Sequence, residues 1–489
     1  MTLTARIRQW SDNNQFAHSV LALTSGTAAA QLIVVLASPV LTRLYSPAQF
    51  GELTLFMSVL GVLAAICAFR FELAIPIPRD ERVAVSLVVV SIIALAAFTV
   101  AVSVLSALFG KTLVRELSAE TLNAHLWMLP LALFVTGLFM ILNMWCNRQN
   151  QFGEIAKSKV VQSLSMVLVQ IVGSSLGGAS LIGGRIVGLF LATFLLTTAS
   201  LRSGFARDKL PRLKELRKAV SDYRRFPLVQ TWVGLTSSAS VAIPPLLFAW
   251  FYDLQTAGAF GLTIMILVAP MSLIGNAVEN VFYRQAILAH RDGVLHQLML
   301  AVHERLVVVS LPVFLLGFTL LPEAFTVIFG DNWEQAGVFA SFVLPWMFLQ
   351  FTTTPCTNVF PILDKHWTAL WFQLSLAVAP IFAFAFGEMF VSDPSLVVAV
   401  LSFLSCLVYL SRLSIAYKAA GVSLFSGLAV LLRAAPYSFV CVLPLVMFRG
   451  FAEGSLYIDF FFVLAFTTSL ALCFATIWMR WIRLRAMPN

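Results

Sequence analysis

Long apolar segments alternate with short polar ones along this chain, and the apolar segments share one length. About 20 mostly apolar residues carry a helix across the hydrocarbon core of a bilayer. Segments of that kind lie at roughly 17–42, 51–69, 84–109, 124–146, 159–177 and 180–200. After an interruption they resume at roughly 229–251, 259–281, 304–329, 336–360, 367–390, 395–416, 424–448 and 456–479. The pattern predicts an all-α integral membrane protein of about 14 transmembrane helices. The interruption, 201–226, is the longest stretch that a bilayer would reject. It sets Arg202, Arg207, Lys209, Arg212, Lys214, Arg217, Lys218, Arg224 and Arg225 against only Asp208, Glu215 and Asp222. Leu210, Leu213, Leu216 and Val220 recur there at helical spacing, and Pro211 suits a first helical turn. The segment reads either as a basic amphipathic helix on the inner membrane surface or as a solvated loop whose charge sets topology.

Charge then orients the spans. Loops rich in Arg and Lys stay on the cytoplasmic side. With the N-terminus inside, that side would hold Arg6 and Arg8; Arg70, Arg79 and Arg82; Arg148, Lys157 and Lys159; and the interruption. It would also hold Arg284 and Arg291, Lys365, Arg412 and Lys418, and finally Arg480, Arg483 and Arg485. The outer loops keep only Arg43, Lys111, Arg115 and Arg449. Both termini are therefore expected in the cytoplasm. The expected organisation is a six-helix lobe over 1–200, a basic linker over 201–228, a second six-helix lobe over 229–418, and an appended helix pair over 419–489.

Composition agrees. Of 489 residues 60% are hydrophobic and 11% charged, where a soluble domain carries about 25% charged residues. The pI of about 9.4 would suit a nucleic-acid partner, but the basic residues are spread over many short loops, so none is expected. The six cysteines form no CxxC pair and lie in or beside apolar segments, as small fillers do. Residues 1–15 lack a signal-peptide cleavage site, so the first apolar run is expected to stay as a span. The outer loops are short, 110–123 excepted, and none offers room for a catalytic pocket.

An echo crosses the interruption. Pro39, Tyr45 and Phe50-Gly51 precede a second span that closes at Arg70-Phe71-Glu72; Pro245, Tyr252 and Phe260-Gly261 precede an eighth that closes at Val281-Phe282-Tyr283-Arg284. Parallel repeats of this kind occur in secondary transporters. Three stretches carry a family likeness: 44–51 (LYSPAQFG), 70–75 (RFELAI) with 78–81 (PRDE), and 329–337 (FGDNWEQAG). Together they resemble the polysaccharide flippases of the multidrug/oligosaccharidyl-lipid/polysaccharide (MOP) exporter superfamily, nearest the Wzx-type and colanic-acid-exporter-like branch. The resemblance covers essentially the whole chain. It implies a MATE/MurJ-like fold in a bacterial inner membrane and an undecaprenyl-diphosphate-linked oligosaccharide as cargo. Membrane lipids, a polysaccharide polymerase and chain-length machinery are the implied neighbours, with the monomer as the functional unit. It also implies that spans 13 and 14 are an addition to a twelve-span core, suited to a groove for the lipid tail.

Such a cargo presents two phosphates. Arginine suits them, because its planar fork donates two parallel hydrogen bonds and stays charged. Ionisable groups at membrane depth are by default functional candidates. Arg70 and Glu72, which close the second span, are expected to line a cavity among spans 1, 2, 7 and 8, or else to form a local ion pair at a helix end. Arg43 opposes the charge bias and suits a phosphate contact on the exit side. Arg185, near Gly183-Gly184 in the sixth span, must either snorkel outward or face the interior. Arg284 joins the substrate-binding candidates. Glu279 either pairs with Arg284 or acts as a protonatable coupling group. Thr352–Thr354 would hydrogen-bond sugars or hold helices together. No catalytic constellation, metal-ligand set or cofactor motif occurs. The chain thus reads as a transporter without a cofactor, not an enzyme. The alternatives are a cation-coupled drug exporter of the same fold and a membrane glycosyl polymerase or ligase. The first would favour intramembrane carboxylates over arginines, and the second a large outer loop.

Overall fold

The computed structural model describes residues 3–116, 120–202, 211–357, 359–360, 362–363, 365–390, 392–451 and 468–469. The side chains of 3–22, Arg284, 445–451 and a few single positions lie outside the description. No strand forms among the described residues. A backbone in hydrocarbon can satisfy its amides only within its own helix or a closed barrel, and this sequence takes the first course.

The helices are α1 (Leu3–Leu44), α2 (Pro47–Ala64), α3 (Glu81–Glu116), α4 (Met128–Arg148), α5 (Phe152–Val172), α6 (Gly178–Arg202), α7 (Leu213–Asp222), α8 (Thr231–Phe251), α9 (Leu254–Arg291), α10 (Leu295–Phe329), α11 (Glu334–Thr357), α12 (His366–Phe390), α13 (Pro394–Ala420) and α14 (Leu424–Phe451). Thirteen are long and apolar enough to cross a membrane, all but α7. The expected fourteenth span, 456–479, lies outside the described residues except for 468–469. Leu36, Val172, Val327 and Met389 are each 75% exposed, as side chains directed at lipid are.

Several helices overrun the expected spans. At 1.5 Å per residue the 38 residues of α9 extend about 57 Å, well beyond the roughly 30 Å hydrocarbon core. Arg284 and Arg291 therefore lie on the helix and not in a loop. Likewise α3 continues to Glu116, through the first part of the expected 110–123 loop, and a short 3₁₀ turn follows at Glu120–His125. Within the basic interruption, α7 realises the helical reading. Glu215 accepts a hydrogen bond from the backbone N–H of Arg212 at its start (2.7 Å). Leu213 and Val220 remain exposed while Ala219 is buried, and α7 packs on α3.

The chain forms two compact units, Met1–Leu262 and Thr263–Asn489, with the boundary inside α9. In the first, α5 packs on α1 and α6, α6 on α4, α4 on α3, and α2 on α8. In the second, α10 packs on α11 and α14, α11 on α13, and α13 on α12. A core of Phe282, Met299, Cys356, Phe360 and Tyr417 lies in the second unit.

The first unit explains the 44–51 motif. Tyr45 is buried and its hydroxyl hydrogen-bonds the Gln170 carbonyl and, at 2.6 Å, the Ser180 hydroxyl. Ser46 then caps α2. The Gln49 N–H donates to Ser46 Oγ (3.3 Å) and the Ser46 N–H donates to Gln49 Oε1 (2.9 Å), with Pro47 in the first helical position. Gly51 brings α2 onto the Leu254 backbone at the start of α9. From the other side Gly258 meets the Pro47 carbonyl and Gly261 meets Thr54. The echoed Phe50-Gly51 and Phe260-Gly261 pairs are thus the two faces of one close helix contact.

This seam predicts a contrast between two glycines. Gly258→Ala places a methyl group into the Pro47 carbonyl, and overpacking of this kind costs about 1–3 kcal/mol. Gly61→Ala, in the same α2 with open space around it, should be neutral or slightly stabilising. Thermal unfolding of the two purified variants checks this, and equal midpoints would show that α2 and α9 do not meet there.

Candidate functional site

After Ala64 the chain leaves the helix in an unusual way. Phe69 and Arg70 both have positive φ (47° and 59°), a region that costs a non-glycine residue about 1–2 kcal/mol. The reversal turns Phe69 outward, edge-on to Phe98 (centroids 6.3 Å apart), and starts the 3₁₀ turn Phe71–Ala74. Phe71, Ala74 and Ile75 anchor that turn in the interior. Arg148, at the end of α4, holds the following loop. Its guanidinium donates to the carbonyls of Pro78, Ile75 (3.3 Å) and Arg79 (3.4 Å). Sequence reasoning placed Arg148 among topology-setting charges; its role as a clamp appears only in three dimensions.

The turn brings Arg70 Nη1 to 3.8 Å from Glu72 Oε1, with side chains 17% and 3% exposed. That distance is an ion pair and not a hydrogen bond. Arg70 Nε and Glu72 Oε2 have no hydrogen-bond partner among the described residues. A buried, half-satisfied charge pair is costly, and so is the backbone that presents it. Such costs gather at functional sites. Burial pushes the Glu72 carboxyl above its ordinary range, with the hydrogen bond from its own backbone N–H and then the Arg70 charge opposing. Burial, then Glu72, pushes the neighbouring Cys67 thiol up to about 12. The guanidinium lies flat against α8 at Gly234, where a Cβ would overlap it.

The other candidates stand apart. Arg43 is exposed at the last turn of α1, so the 18 residues of α2, about 27 Å of helix, separate it from the Arg70 turn. Arg185 faces α5 and donates to Met166 Sδ (3.6 Å). Glu279, half-buried on α9, is attracted to Arg412 on α13, whose guanidinium stacks 4.1 Å from the Phe372 ring centroid. Arg284, the other partner expected for Glu279, has its side chain outside the described residues. Thr352 and Thr354 hydrogen-bond helix carbonyls at Phe348 and Gln350. Glu52 escaped sequence reasoning: it is buried within α2, its carboxylate against Gly178 at the start of α6. A lone carboxylate inside a span was the available signal.

Glu72 yields a stability prediction with a definite sign. Its native pKa lies above its unfolded value. The associated stability is therefore present below the unfolded carboxylate pKa and is lost as pH rises through the native one. Glu72→Gln should accordingly raise the unfolding midpoint at pH 7 and above, and the gain should shrink as pH falls toward about 4.3, the ordinary glutamate value. Midpoints measured across pH for both proteins check it; a constant offset would show that Glu72 does not titrate differently on folding.

Residues 40–337, more than half of the chain, match the family described as Polysaccharide biosynthesis protein. No curated protein matches the chain in sequence. Among solved structures it is similar to the lipid II flippase MurJ in an inward closed conformation, with TM-score 0.74 and 11% identity over 94% of this chain and 99% of that one. It is also similar to an inward-facing multidrug resistance MATE family transporter of the MOP superfamily (TM-score 0.61, 13% identity, 82% of this chain and 94% of that one). A MOP superfamily transporter from Pyrococcus furiosus aligns with TM-score 0.51 at 12% identity, over 82% of this chain and 95% of that one. At such identities the likeness concerns the fold. This multi-pass membrane protein has the fold of MurJ and the MATE transporters and belongs to the polysaccharide biosynthesis protein family.

Proposed function

We propose that the protein is a flippase that moves undecaprenyl-diphosphate-linked oligosaccharide units across a bacterial inner membrane, for O-antigen, capsule or exopolysaccharide synthesis. The observation that carries this reading is Arg70, a guanidinium held against Gly234 on a strained turn with donors to spare. A diphosphate is the anion its planar fork fits. The family match supplies the pathway class and the fold supplies a precedent, since one similar structure is named as a flippase of lipid II. Arg43, Arg185 and Arg284 are further cargo contacts in this reading, and Glu279 a coupling group. In this reading 419–489 supports the lipid tail. A membrane potential favours outward movement of an anion from a negative interior by about 2.3 kcal/mol per charge per 100 mV. A polymerase and chain-length machinery receive the product. Family and fold both point to transport and not to enzymology.

Substitutions at Arg70 test the reading. Arg70→Ala removes charge-assisted hydrogen bonds worth roughly 1.5–3 kcal/mol, so export should fall about tenfold or more. Arg70→Lys keeps the charge, loses the fork, and should be intermediate. Arg79→Ala, at an exposed loop position, should stay near wild type. The measurement is surface polysaccharide in cells lacking the protein, at matched membrane abundance of each variant. Equal export from Arg70→Ala and wild type would reduce Arg70 to a helix-end anchor. Topology has its own test: a reporter that is active only outside the cytoplasm, fused after Asn489, should stay silent.

A further inference from the structure

The pair at the Arg70 turn is lopsided. Arg70 keeps part of its surface exposed, whereas Glu72 is almost wholly enclosed, with side-chain exposures of 17% and 3%. Glu72 Oε2 has no hydrogen-bond partner among the described residues. Its ionised form is held by the hydrogen bond from its own backbone N–H and by the charge of the neighbouring guanidinium, since an unpaired buried carboxylate is strongly disfavoured.

The surroundings offer no substitute for that charge. Ahead of the turn, Cys67 is a thiol held neutral. From α4, Arg148 is engaged with the carbonyls of Ile75, Pro78 and Arg79. At the start of α3, Asp80 accepts from the Arg82 N–H (2.9 Å), Arg82 is exposed, and Glu81 would add only repulsion. The turn Phe226–Gln230 before α8 carries no titratable side chain, and Arg225 beside it is exposed. The charge acting on Glu72 is that of Arg70.

We propose that Glu72 is a proton-carrying exchange partner for Arg70: a diphosphate that captures the guanidinium leaves behind a carboxylate, which takes up one proton. The step is a simple acid–base balance. A proton from water adds to a Glu72 oxygen, the Arg70–Glu72 attraction is replaced by an Arg70–phosphate one, and the loaded site carries one negative charge fewer than it otherwise would. The inference rests on the reading of Arg70 as the anion contact and gives that contact a chemical consequence. Glu72 then serves as the group that makes loading pH-dependent and is not a ligand for the cargo, because an ionised carboxylate would repel phosphate. Burial already favours the protonated acid while the guanidinium is in place, so removing the guanidinium pushes in the same direction.

The sign follows. Glu72 has a higher pKa with the anion bound than without it. Between those two values binding consumes a proton, and affinity falls as pH rises, by about tenfold per pH unit for one linked proton.

The experiment uses the purified full-length protein in detergent, with farnesyl diphosphate as the probe. Infrared difference spectra and binding curves are recorded across pH for wild type, Glu72→Gln and Arg70→Ala. Adding the probe to wild type should produce a protonated-carboxyl C=O band, which phosphates lack, and the band should be missing in Glu72→Gln. Wild-type affinity should fall more steeply with pH than that of Glu72→Gln; the difference between the slopes removes the titration of the probe itself. If the glutamine variant does not fold, Glu72→Asp replaces it, because it should shift the band while keeping a carboxyl. Arg70-dependent binding with no carboxyl band and no extra slope would overturn the proton exchange and leave the anion site standing. Probe binding unchanged by Arg70→Ala would overturn both.

Discussion

The constraint beneath this structure is that a peptide backbone crossing hydrocarbon must hydrogen-bond to itself. Thirteen described helices long enough to span meet it simply. Irregular backbone is tolerated only where protein or water takes over the role of the missing helix. The segment after α2 is such a place. It leaves the helix, passes through two left-handed residues, and is held by three carbonyl contacts from Arg148. The departure lets a charged side chain be aimed by backbone geometry, where a regular helix would fix its direction by the 100° step between residues.

A second consequence concerns packing. Helices in lipid gain little from hiding apolar surface from one another, so close backbone approach has to supply the attraction. The seam of Gly51, Gly258 and Gly261 provides it between α2 and α9. A capped start fixes α2 in register, and Tyr45 ties the preceding corner to α5 and α6. A motif that looks in the sequence like a loop signature is therefore a set of instructions for one helix contact.

The spans were legible because twenty apolar residues in a row have few other fates. Helix ends were less so. At the headgroup level a helix carries charge at little cost, which is why α9 continues through Arg284 to Arg291 and α3 passes Gly110. The Arg70–Glu72 pair was visible as a charged motif closing a span. Its surroundings were not, because Gly234 lies far away in sequence and looks like any other glycine. The same limit applied at Glu279. Proximity in sequence suggested Arg284, whose side chain lies outside the described residues; the attraction to Arg412, which sits on another helix and stacks on Phe372, has no sequence signal. Thr352 and Thr354 were ambiguous as sequence, and in the structure their hydroxyls donate to carbonyls of their own helix.

The contact between Arg70 and Gly234 also restricts how this protein can change. Any side chain at 234 would occupy the place of the guanidinium, so Arg70 would have to swing to another rotamer and its charge would leave the position the turn gives it. Residues in direct contact do not behave additively. The two positions, 164 apart in the sequence, are therefore coupled: a Cβ at 234 changes where the charge of residue 70 can be held.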